Sequence, residues 1–286
     1  MEKAILGLDI GGTGIKGGIL INGELEDIRS ISTPAKETKE HILETIAAFI
    51  ESYLHYDLAG IGIGIPGLVN VREGIVLGLS NIPAFQHVEL KKFLVQRFGK
   101  PVFINNDANC FASGVHKFGV GRKFNHLVGL TLGTGIGGGI VINGHLYSGV
   151  NSAAGEWCSA SYLDHDYEHY CSGKFFEKYY HSKPKSLAKK ALAGDPIAIQ
   201  AFEEFGHHLG ELIKHILYGL APEAIILGGS IRKTYPLFKK SMMKSLEGFN
   251  YPTVIENLQI LLSEMDETGI HGAVALVELE TEIVNN

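Results

Sequence analysis

Cysteine, tryptophan and positive charge are all scarce in this sequence. Of its 286 residues one is tryptophan and three are cysteines, namely Cys110, Cys158 and Cys171. An odd number of widely spaced cysteines argues against a disulfide framework and is typical of a reducing compartment. Acidic residues outnumber lysines and arginines by 31 to 25, and no basic run is interleaved with aromatic residues. We therefore expect no nucleic acid partner.

Long apolar runs are missing as well. No stretch approaches the roughly 18 apolar residues of a membrane-spanning helix, and Asp9 and several glycines interrupt the apolar N-terminal segment. We expect a cytoplasmic protein without a membrane partner. The 36 glycines occur in short groups, while 45% of the residues are apolar and 20% are charged. This is the composition of a globular protein that buries a sizeable core.

The first group of glycines follows an apolar strand directly, in the segment Leu6-Gly-Leu-Asp-Ile-Gly-Gly-Thr-Gly-Ile-Lys-Gly-Gly18. Clustered glycines can adopt positive φ, so that backbone N–H groups converge on an anion, and Thr13 adds a hydroxyl. Asp9 could hold a metal ion through water. A dinucleotide fingerprint also matches, but a predicted strand and the Asn22-Gly23 turn follow where that fingerprint needs a helix. The segment therefore predicts a phosphate-binding loop between two antiparallel strands.

A second copy of this segment occurs further along the chain. Thirteen residues starting at position 13 align with thirteen starting at position 134, and ten of them are identical. Glycine-rich hairpins can resemble each other by composition alone, but a duplicated domain explains the match better. Two copies that face each other would place two phosphate-binding hairpins around one cleft. The copies differ because Asp9 and Lys16 correspond to Thr131 and Gly137.

The order of predicted elements indicates an α/β fold. Apolar residues at helical spacing predict helices, and apolar runs bounded by glycine or proline predict buried strands. Helices are predicted at about 38–54, 88–98, 108–116, 186–192, 196–218, 235–246 and 269–283. Beyond the first hairpin, buried strands are predicted at 59–66, 101–104, 224–227 and 257–262.

Polar side chains follow the strand predicted at 101–104. Asn105, Asn106, Asp107 and Asn109 come at its end, which is the edge where open α/β sheets bind ligands. Asp107 could be a helix N-cap or a functional carboxylate, and the pattern leaves both open. The asparagines favour a polyol or a sugar, because an amide both donates and accepts hydrogen bonds. Glu156, on a loop of small residues, is a candidate acceptor for a sugar hydroxyl.

Five motifs then occur in order along the chain. They are Asp9-x-Gly-Gly-Thr-x-x-Lys16, Asn106-Asp-Ala-Asn109, Leu132-Gly-Thr-Gly-Ile-Gly-Gly138, Ala154-Gly-Glu156 and Leu227-Gly-Gly229. Together they resemble the ROK family of sugar kinases and sugar-responsive repressors over essentially the whole chain. The resemblance implies a duplicated actin-like (ribonuclease H-like) fold, with sugar and ATP in the cleft between two α/β domains, usually in a homodimer. We expect an N-terminal domain of residues 1–108 with 269–286 and a C-terminal domain of residues 109–268.

The same resemblance implies a role for each matching residue. Asp107 would be the catalytic base that takes the proton from the sugar 6-hydroxyl, and Asp9 would lie near Mg2+. Substrate contacts are implied for Gly67, Asn81, Asn106, Asp107, Glu156 and Glu168. Cofactor contacts are implied for Asp9, Gly11, Gly12, Thr13 and Lys16 in the first loop, Thr134, Gly135 and Gly137 in the second, and Gly228 and Gly229 at the adenosine turn.

These residues lead to one functional hypothesis and one alternative. We expect an ATP- and Mg2+-dependent kinase acting on the 6-hydroxyl of a hexose, because two glycine loops, a metal and a carboxylate supply what phosphoryl transfer needs. Glucose is the first candidate, and N-acetylmannosamine, N-acetylglucosamine, mannose and fructose stay open. Family repressors carry a DNA-binding domain before the first hairpin, which here begins at residue 4, so the kinase is favoured. The alternative is a sugar-sensing member without catalytic activity.

The chain departs from the family at the loop that binds a structural zinc ion in many members. A family histidine that also contacts sugar is replaced by Ser159, no Cys-x-Cys motif is present, and Asp166 stands where the last cysteine would be. This replacement also leaves the sugar specificity open. A substitute set would be Cys158, His165, His169 and Cys171, whose spacing matches no common zinc pattern.

We therefore predict that the purified protein holds no stoichiometric zinc. Aromatic side chains should pack this loop instead, namely Tyr167, Tyr170, Phe175 and Phe176. Elemental analysis of the protein measures the metal content directly. A tightly held zinc ion, about one per chain, that is lost in the variant Cys171→Ser would contradict this prediction.

Overall fold

The computed structural model describes residues 3–79 and 81–285, and the chain forms two compact units. The first unit consists of residues up to 122, residues 146–154 and residues from 264 onward, and the second consists of 123–145 and 155–263. Relative to the boundaries expected from the sequence, the first unit also contains residues 109–122, 146–154 and 264–268. None of the helices in the described part of the chain is long and apolar enough to cross a membrane.

The regular elements alternate along the chain as expected for an α/β protein. The strands are β1 (Ala4–Ile10), β2 (Gly14–Ile21), β3 (Glu24–Ser32), β4 (Leu58–Ile65), β5 (Leu68–Asn70), β6 (Ile75–Gly78), β7 (Gln86–Val88), β8 (Val102–Asn106), β9 (Leu127–Leu132), β10 (Ile136–Ile142), β11 (His145–Leu146), β12 (Ser161–Tyr162), β13 (His165–Asp166), β14 (Ala224–Gly228) and β15 (Gln259–Leu262). The helices are α1 (Lys39–Glu51), α2 (Leu90–Phe98), α3 (Asp107–Lys117), α4 (Tyr167–Cys171), α5 (Gly173–Tyr180), α6 (Pro184–Leu192), α7 (Pro196–Leu220), α8 (Tyr235–Leu246), α9 (Pro252–Asn257) and α10 (Thr268–Asn285).

Each unit contains a five-stranded sheet, and the two sheets have the same topology. The strand order is β3-β2-β1-β4-β8 in the first and β11-β10-β9-β14-β15 in the second. In the first sheet β1 pairs with β2 in antiparallel fashion and with β4 in parallel, and β8 is parallel to β4. In the second sheet β9 pairs with β10 in antiparallel fashion and with β14 in parallel, and β15 is parallel to β14. Asp9 pairs with Lys16 in the first hairpin, and Thr131 pairs with Gly137 in the second. The duplication predicted from the sequence is therefore confirmed.

The turn from β2 to β3 and the turn from β10 to β11 also have the same conformation. Asn22 and Gly23 have φ of 52° and 79°, and Asn143 and Gly144 have φ of 53° and 76°. Two successive residues with positive φ define the tight turn whose twist matches that of the flanking strands, and Asn-Gly is the preferred pair for it. The turns predicted from these two dipeptides are thus confirmed.

Helix α10 packs very closely on the first sheet, because glycines in β1 and β4 present backbone alone. A Cβ on Gly7 would lie 2.6 Å from the carbonyl oxygen of Ile270, and a Cβ on Gly60 would lie 2.7 Å from Cγ1 of Val277. Helix α3 meets α10 equally closely, since a Cβ on Gly114 would lie 2.9 Å from the backbone nitrogen of Gly272. Backbone contact of this kind holds α10 in one position.

Helix α1 covers the core of the first unit. Thr38 caps its N-terminus by accepting a hydrogen bond from His41 N, and Ile42, Ile46 and Ile50 are fully buried. The predicted helical spacing is confirmed, although the helix ends at Glu51 rather than at Leu54. Similarly, α2 begins at Leu90 because Val88 belongs to β7.

The core of the second unit is built mainly from aromatic and aliphatic side chains around α7. The four aromatic residues predicted to pack the loop of the family's zinc site are buried, and all belong to this core: Tyr167, Tyr170, Phe175 and Phe176. That packing prediction is confirmed. Helix α9 was not predicted, because its six residues begin with Pro252 and show no apolar periodicity. The last strand is correspondingly shorter than the predicted 257–262.

The contact between α3 and α10 leads to a prediction about stability. Alanine is the better helix former by about 1 kcal/mol, so Gly→Ala in an open helix position should stabilise. In Gly114→Ala the new methyl would overlap the backbone of Gly272, and we expect a net loss of about 1–3 kcal/mol in the free energy of unfolding. The control is Gly219→Ala in α7, where a Cβ would meet no atom within 4 Å.

Urea unfolding of both variants measures these free energies. We expect opposite signs, with a gain of up to about 1 kcal/mol for Gly219→Ala. If Gly114→Ala stabilised the protein as much as Gly219→Ala, the close contact between the two helices would be wrong.

Candidate active site

The loop between β1 and β2 is held by one backbone hydrogen bond and one bond from a threonine hydroxyl. Gly11 N–H donates to the carbonyl of Gly14 (2.9 Å), and Thr33 Oγ1 donates to the carbonyl of Gly11 (2.6 Å). The expectation of positive φ is wrong for Gly11, Gly12 and Gly14, none of which lies in the left-handed region. Glycine is needed here for space, because a Cβ on Gly12 would lie 2.7 Å from Cβ of Asn81. The loop therefore places Asn81 against Gly12.

Charged side chains gather where β1 ends. Asp9 pairs with Lys16 across the hairpin, and Lys16 Nζ lies 2.9 Å from both carboxylate oxygens of Glu267. Glu267 precedes α10 directly and has φ of 47°, which is uncommon for a residue other than glycine. A Cβ on Gly269 would overlap the Asp9 carboxylate, so this carboxylate lies against the N-terminal turn of α10. That end of a helix favours negative charge.

The carboxyl group of Asp9 is unusually basic. Its side chain keeps some exposed surface, yet protein atoms surround the carboxylate on most sides, and this burial raises the pKa of Asp9 from 3.8 to about 6. The charge of Asp107 raises the pKa further, Lys16 lowers it, and Glu267 again raises it. The Asp9 carboxylate thus has two neighbouring carboxylates, those of Asp107 and Glu267, and one neighbouring ammonium group, that of Lys16. A bound cation would favour the ionised form of Asp9.

Asn106 and Asp107 stand at the end of β8 and have different tasks. Asn106 Oδ1 caps α3 by accepting hydrogen bonds from Ala108 N (2.8 Å) and Asn109 N (3.3 Å), and its Nδ2 donates to the carbonyl of Gly67 (3.0 Å). The N-cap is therefore Asn106, and the alternative that Asp107 serves as the cap is wrong. Asp107 is the first residue of α3 and is exposed, although its neighbours on both sides are buried.

The other two asparagines of this motif serve the structure. Asn105 is 2% exposed and Asn109 is fully buried. Asn109 Nδ2 donates to Asn105 Oδ1 (3.0 Å), and Asn105 Nδ2 donates to Ser148 Oγ (2.9 Å). Ser152 Oγ in turn accepts from Val69 N (2.9 Å). This network fixes the segment 146–154 and the chain after β4 on the edge of the sheet where Asp107 lies.

The second glycine loop, between β9 and β10, is hydrogen-bonded to the start of α5. Gly133 N–H donates to the carbonyl of Gly135 (2.9 Å), and the carbonyl of Gly133 accepts from Gly173 N (2.8 Å), the first residue of α5. A Cβ on Gly135 would lie 2.5 Å from Glu168 Oε2. Glu168 also forms an ion pair with Lys174. Glu168 is thus placed at the second loop and next to a lysine.

The adenosine turn expected at Gly228 and Gly229 lies beside the same loop. Gly228 pairs with Thr131 in the sheet, whose Oγ1 accepts from Gly137 N (3.2 Å). Gly229 has φ of 73°, and a Cβ there would overlap the carbonyl of Leu132. At this position glycine is required both by conformation and by space.

A cavity of about 630 Å³ opens next to the second loop. Gly133, Thr134 and Lys174 line it, and so does Ser230, which follows Gly229. Its apolar lining includes Ala188, Leu192 and Ile231. The cavity therefore combines a glycine loop, cationic side chains and an apolar surface, which together suit a nucleotide.

Glu156 is exposed on its loop. Cys158 Sγ donates to Glu156 Oε2 (3.3 Å), and burial together with this carboxylate raises the pKa of Cys158 to about 12. Cys158 is therefore a thiol.

Within the described residues no group of three histidine, cysteine or acidic side chains is arranged to hold a metal ion.

The sequence-predicted residues fall into two groups, one in each unit. The first unit contains Asp9, Gly11, Gly12, Thr13, Lys16, Gly67, Asn81, Asn106 and Asp107, and the second contains Thr134, Gly135, Gly137, Glu156, Glu168, Gly228 and Gly229. Glu267, Gly269 and Lys174 were missed. No local pattern marks a single glutamate or lysine, although Glu267 follows two other acidic residues, at positions 264 and 266.

The duplicated unit, with a glycine hairpin at the start of each sheet, is the actin-like fold in two α/β domains. The model of the ROK family matches residues 5–280, and the chain belongs to this family. A glucokinase from Thermotoga maritima is 28% identical and covers 96% of this chain and 97% of its own length. A xylose repressor from Bacillus spizizenii is 30% identical, over 92% of this chain and 74% of its own.

Among solved structures, a ROK family glucokinase from Streptomyces griseus in complex with glucose and AMPPNP has a TM-score of 0.79 and 27% identity. It covers 96% of this chain and 98% of its own. The proteins similar to this chain thus include both glucokinases and a xylose repressor.

The raised pKa of Asp9 leads to a prediction about the variant Asp9→Asn. Between pH 4 and 6 the folded protein keeps a proton that the unfolded chain releases, so Asp9 destabilises the fold increasingly as pH rises through that range. Near pH 7.5 the isosteric amide should therefore raise the free energy of unfolding by about 1–3 kcal/mol. The gain should shrink toward zero near pH 4.

Urea unfolding in metal-free buffer at several pH values measures this difference. A variant that is less stable than the wild type at pH 7.5, or a gain that grows toward low pH, would show that the Asp9 carboxylate is not held in an unfavourable environment.

Proposed function

We propose that this protein is an ATP-dependent sugar kinase that transfers the γ-phosphoryl group to the 6-hydroxyl of a hexose. The observation that carries the proposal is the placement of Asp107. Its carboxylate is exposed on a helix whose cap is supplied by Asn106, within electrostatic reach of Asp9 on the first glycine loop. A base for the sugar hydroxyl and a phosphate loop are thus parts of one unit.

Asp107 acts as the base in this proposal. Asn106 supplies the N-cap of α3, and the Asp107 carboxylate accepts a further hydrogen bond from Ala108 N (2.9 Å) while its side chain stays exposed. Its role is to accept the proton of the 6-hydroxyl as the new bond to phosphorus forms. Asn106 keeps one N–H that has no partner among the described residues, and this N–H can donate to a neighbouring sugar hydroxyl.

We assign the binding of ATP, the phosphoryl donor, to residues of the two glycine loops. Phosphoryl transfer requires mainly positioning and neutralisation of charge, and Lys16 with the first loop supplies both. The apolar and cationic cavity beside Gly133 suits the adenosine part and its phosphates, and the AMPPNP in the similar glucokinase supports this assignment.

We assign the divalent cation of the reaction to Asp9 alone among the carboxylates of this unit. Burial raises the pKa of Asp9 most, and the charges of Asp107 and Glu267 raise it further while that of Lys16 lowers it. Mg2+ prefers oxygen ligands and keeps several waters, so it commonly needs one or two carboxylates together with substrate phosphates. Asp9 would hold it through water, and it would neutralise charge on the transferred group.

Glucose remains the first candidate substrate, supported by the glucokinases among the relatives. Ser159 replaces a histidine that contacts sugar in the family, which leaves N-acetylmannosamine, N-acetylglucosamine, mannose and fructose as further candidates.

A sugar sensor without catalytic activity is the second candidate function, because the xylose repressor is as similar as the kinases. ADP release in the presence of each sugar distinguishes the two functions.

The test combines a panel of hexoses with the variant Asp107→Asn, which keeps the shape of the side chain and removes the base. We expect kcat to fall by about 10²–10⁴-fold while the dissociation constant for the sugar changes little. Asp57→Asn is the matched control, since Asp57 is an exposed carboxylate that precedes β4 and so lies at the opposite edge of the sheet.

Coupled ADP release gives kcat, and calorimetry gives sugar affinity. Turnover with none of the hexoses would refute the kinase and favour the sensor. Near wild-type kcat in Asp107→Asn would mean that another group is the base.

A further inference from the structure

The segment after β14 lines part of the cavity beside the second glycine loop. Four of its residues belong to the lining, namely Ser230, Ile231, Lys233 and Thr234. Arg232 lies in the middle of this run, in a short 3-10 helix of residues Ile231–Thr234. Its guanidinium donates hydrogen bonds to two backbone carbonyls. The side chain of Arg232 therefore acts on the backbone that carries this part of the cavity wall.

The two hydrogen bonds of Arg232 join the adenosine turn to the end of the neighbouring strand. Nη1 donates to the carbonyl of Gly229 (2.8 Å), and Nε donates to the carbonyl of Ser263 (2.6 Å). Ser263 follows β15 directly and donates its own N–H to the carbonyl of Leu227 in β14 (2.9 Å). Because β14 and β15 are parallel, their carboxyl ends lie at one edge of the sheet, and one guanidinium binds the chain after both.

Gly229 also contacts the strand from which the second glycine loop starts. A Cβ at Gly229 would overlap the carbonyl of Leu132, the last residue of β9. Its φ of 73° lies in the left-handed region that favours glycine. The backbone of Gly229 thus touches β9 directly and is bonded to Arg232. Any shift of this residue would change the cavity wall next to the glycine loop.

The bonds within the segment hold it less firmly. Lys233 N donates to the carbonyl of Ser230 at 3.4 Å, which is longer than the usual range of about 2.7–3.2 Å. Thr234 Oγ1 donates to the carbonyl of Ile231 (2.8 Å). Both bonds connect residues of the segment to each other, so neither attaches it to the sheet. The guanidinium of Arg232 supplies such an attachment through Ser263.

A contribution to stability alone does not explain why an arginine occupies this position. Two carbonyls do not neutralise a guanidinium, and a neutral donor could satisfy either of them. Arginine differs because its donors have a fixed planar arrangement, so two bonds from one side chain fix two carbonyls relative to each other. A binding site profits from such rigidity, since a wall that is already in its bound position costs less ordering free energy when the ligand arrives.

We propose that Arg232 is a positioning residue of the nucleotide site, which holds Gly229 and the cavity wall from 230 to 234 in the conformation that receives the nucleoside part of the donor. This inference rests on the proposed kinase function and gives Arg232 no contact with ATP itself. Loss of the guanidinium should raise KM for ATP and leave kcat nearly unchanged. The reason is that bound ATP orders the wall equally in the ground state and in the transition state.

Calorimetry with ADP and, separately, with glucose tests the proposal in the full chain. Arg232→Met keeps the aliphatic part of the side chain and removes both donors. We expect ADP to bind about 10- to 100-fold more weakly, as for lost hydrogen bonds from a charged group, while glucose affinity stays unchanged. Arg232→Lys keeps the charge but not the planar pair of donors, so it should restore only part of the affinity.

Lys239→Met is the control for the loss of one positive charge. Lys239 lies on α8, where its Nζ is 5.6 Å from the centre of the Tyr235 ring. Its replacement should leave ADP affinity unchanged. Urea unfolding measures the stability of every variant, and calorimetry is performed where each is folded. A purely structural role of Arg232 would lower stability without a selective effect on ADP.

Unchanged ADP affinity in folded Arg232→Met, or equal losses of ADP and glucose affinity, would overturn the proposal. If this variant does not fold, Arg232→Lys decides by the same comparison. If the wild type binds ADP but turns over no hexose, the kinase function fails, while the comparison of Arg232→Met with Lys239→Met still decides this inference. A wild type that does not bind ADP would refute both.

Discussion

The candidate site of the first unit depends on the close packing of α10 against bare backbone. Gly7 and Gly60 leave no side chain between the sheet and this helix, and Gly114 leaves none between α3 and the helix. The start of α10 is therefore held at the end of β1, with Gly269 against the Asp9 carboxylate and Glu267 on Lys16. Larger residues at these glycines would move the helix outward, and the charged groups would separate.

This packing also explains why a largely buried carboxylate is tolerated. Asp9 receives the favourable N-terminal end of α10 and the opposing charge of Lys16, but burial and two further carboxylates outweigh them and raise its pKa. A protein selected for stability alone would not keep such a group at this place. The excess of negative charge is understandable if the site is completed by a cation and a phosphorylated ligand, which is the situation that the proposed reaction creates.

The duplicated units show how one scaffold provides two loops of different chemistry. Both sheets have the same strand order and the same Asn-Gly turns, because pairing and turn geometry depend on backbone patterns that the copies share. The charged pair of the first hairpin is replaced by Thr131 and Gly137 in the second, so only the first loop carries a carboxylate and an ammonium group of its own. In the second unit the charge near the loop comes from Glu168 and Lys174, on helices that follow the hairpin.

The sequence by itself determined the features that depend on neighbouring residues: the repeat, the Asn-Gly turns, most strands and helices, and the polar end of β8. Tertiary structure decided which of those polar residues remain available. Asn105, Asn106 and Asn109 look equivalent in the sequence, yet Asn105 and Asn109 are used in a buried network and Asn106 in a cap. Glu267 lies 251 residues from Lys16, and Lys174 is one of many lysines. No local pattern marks such residues, because their partners are brought to them only by the packing of distant segments.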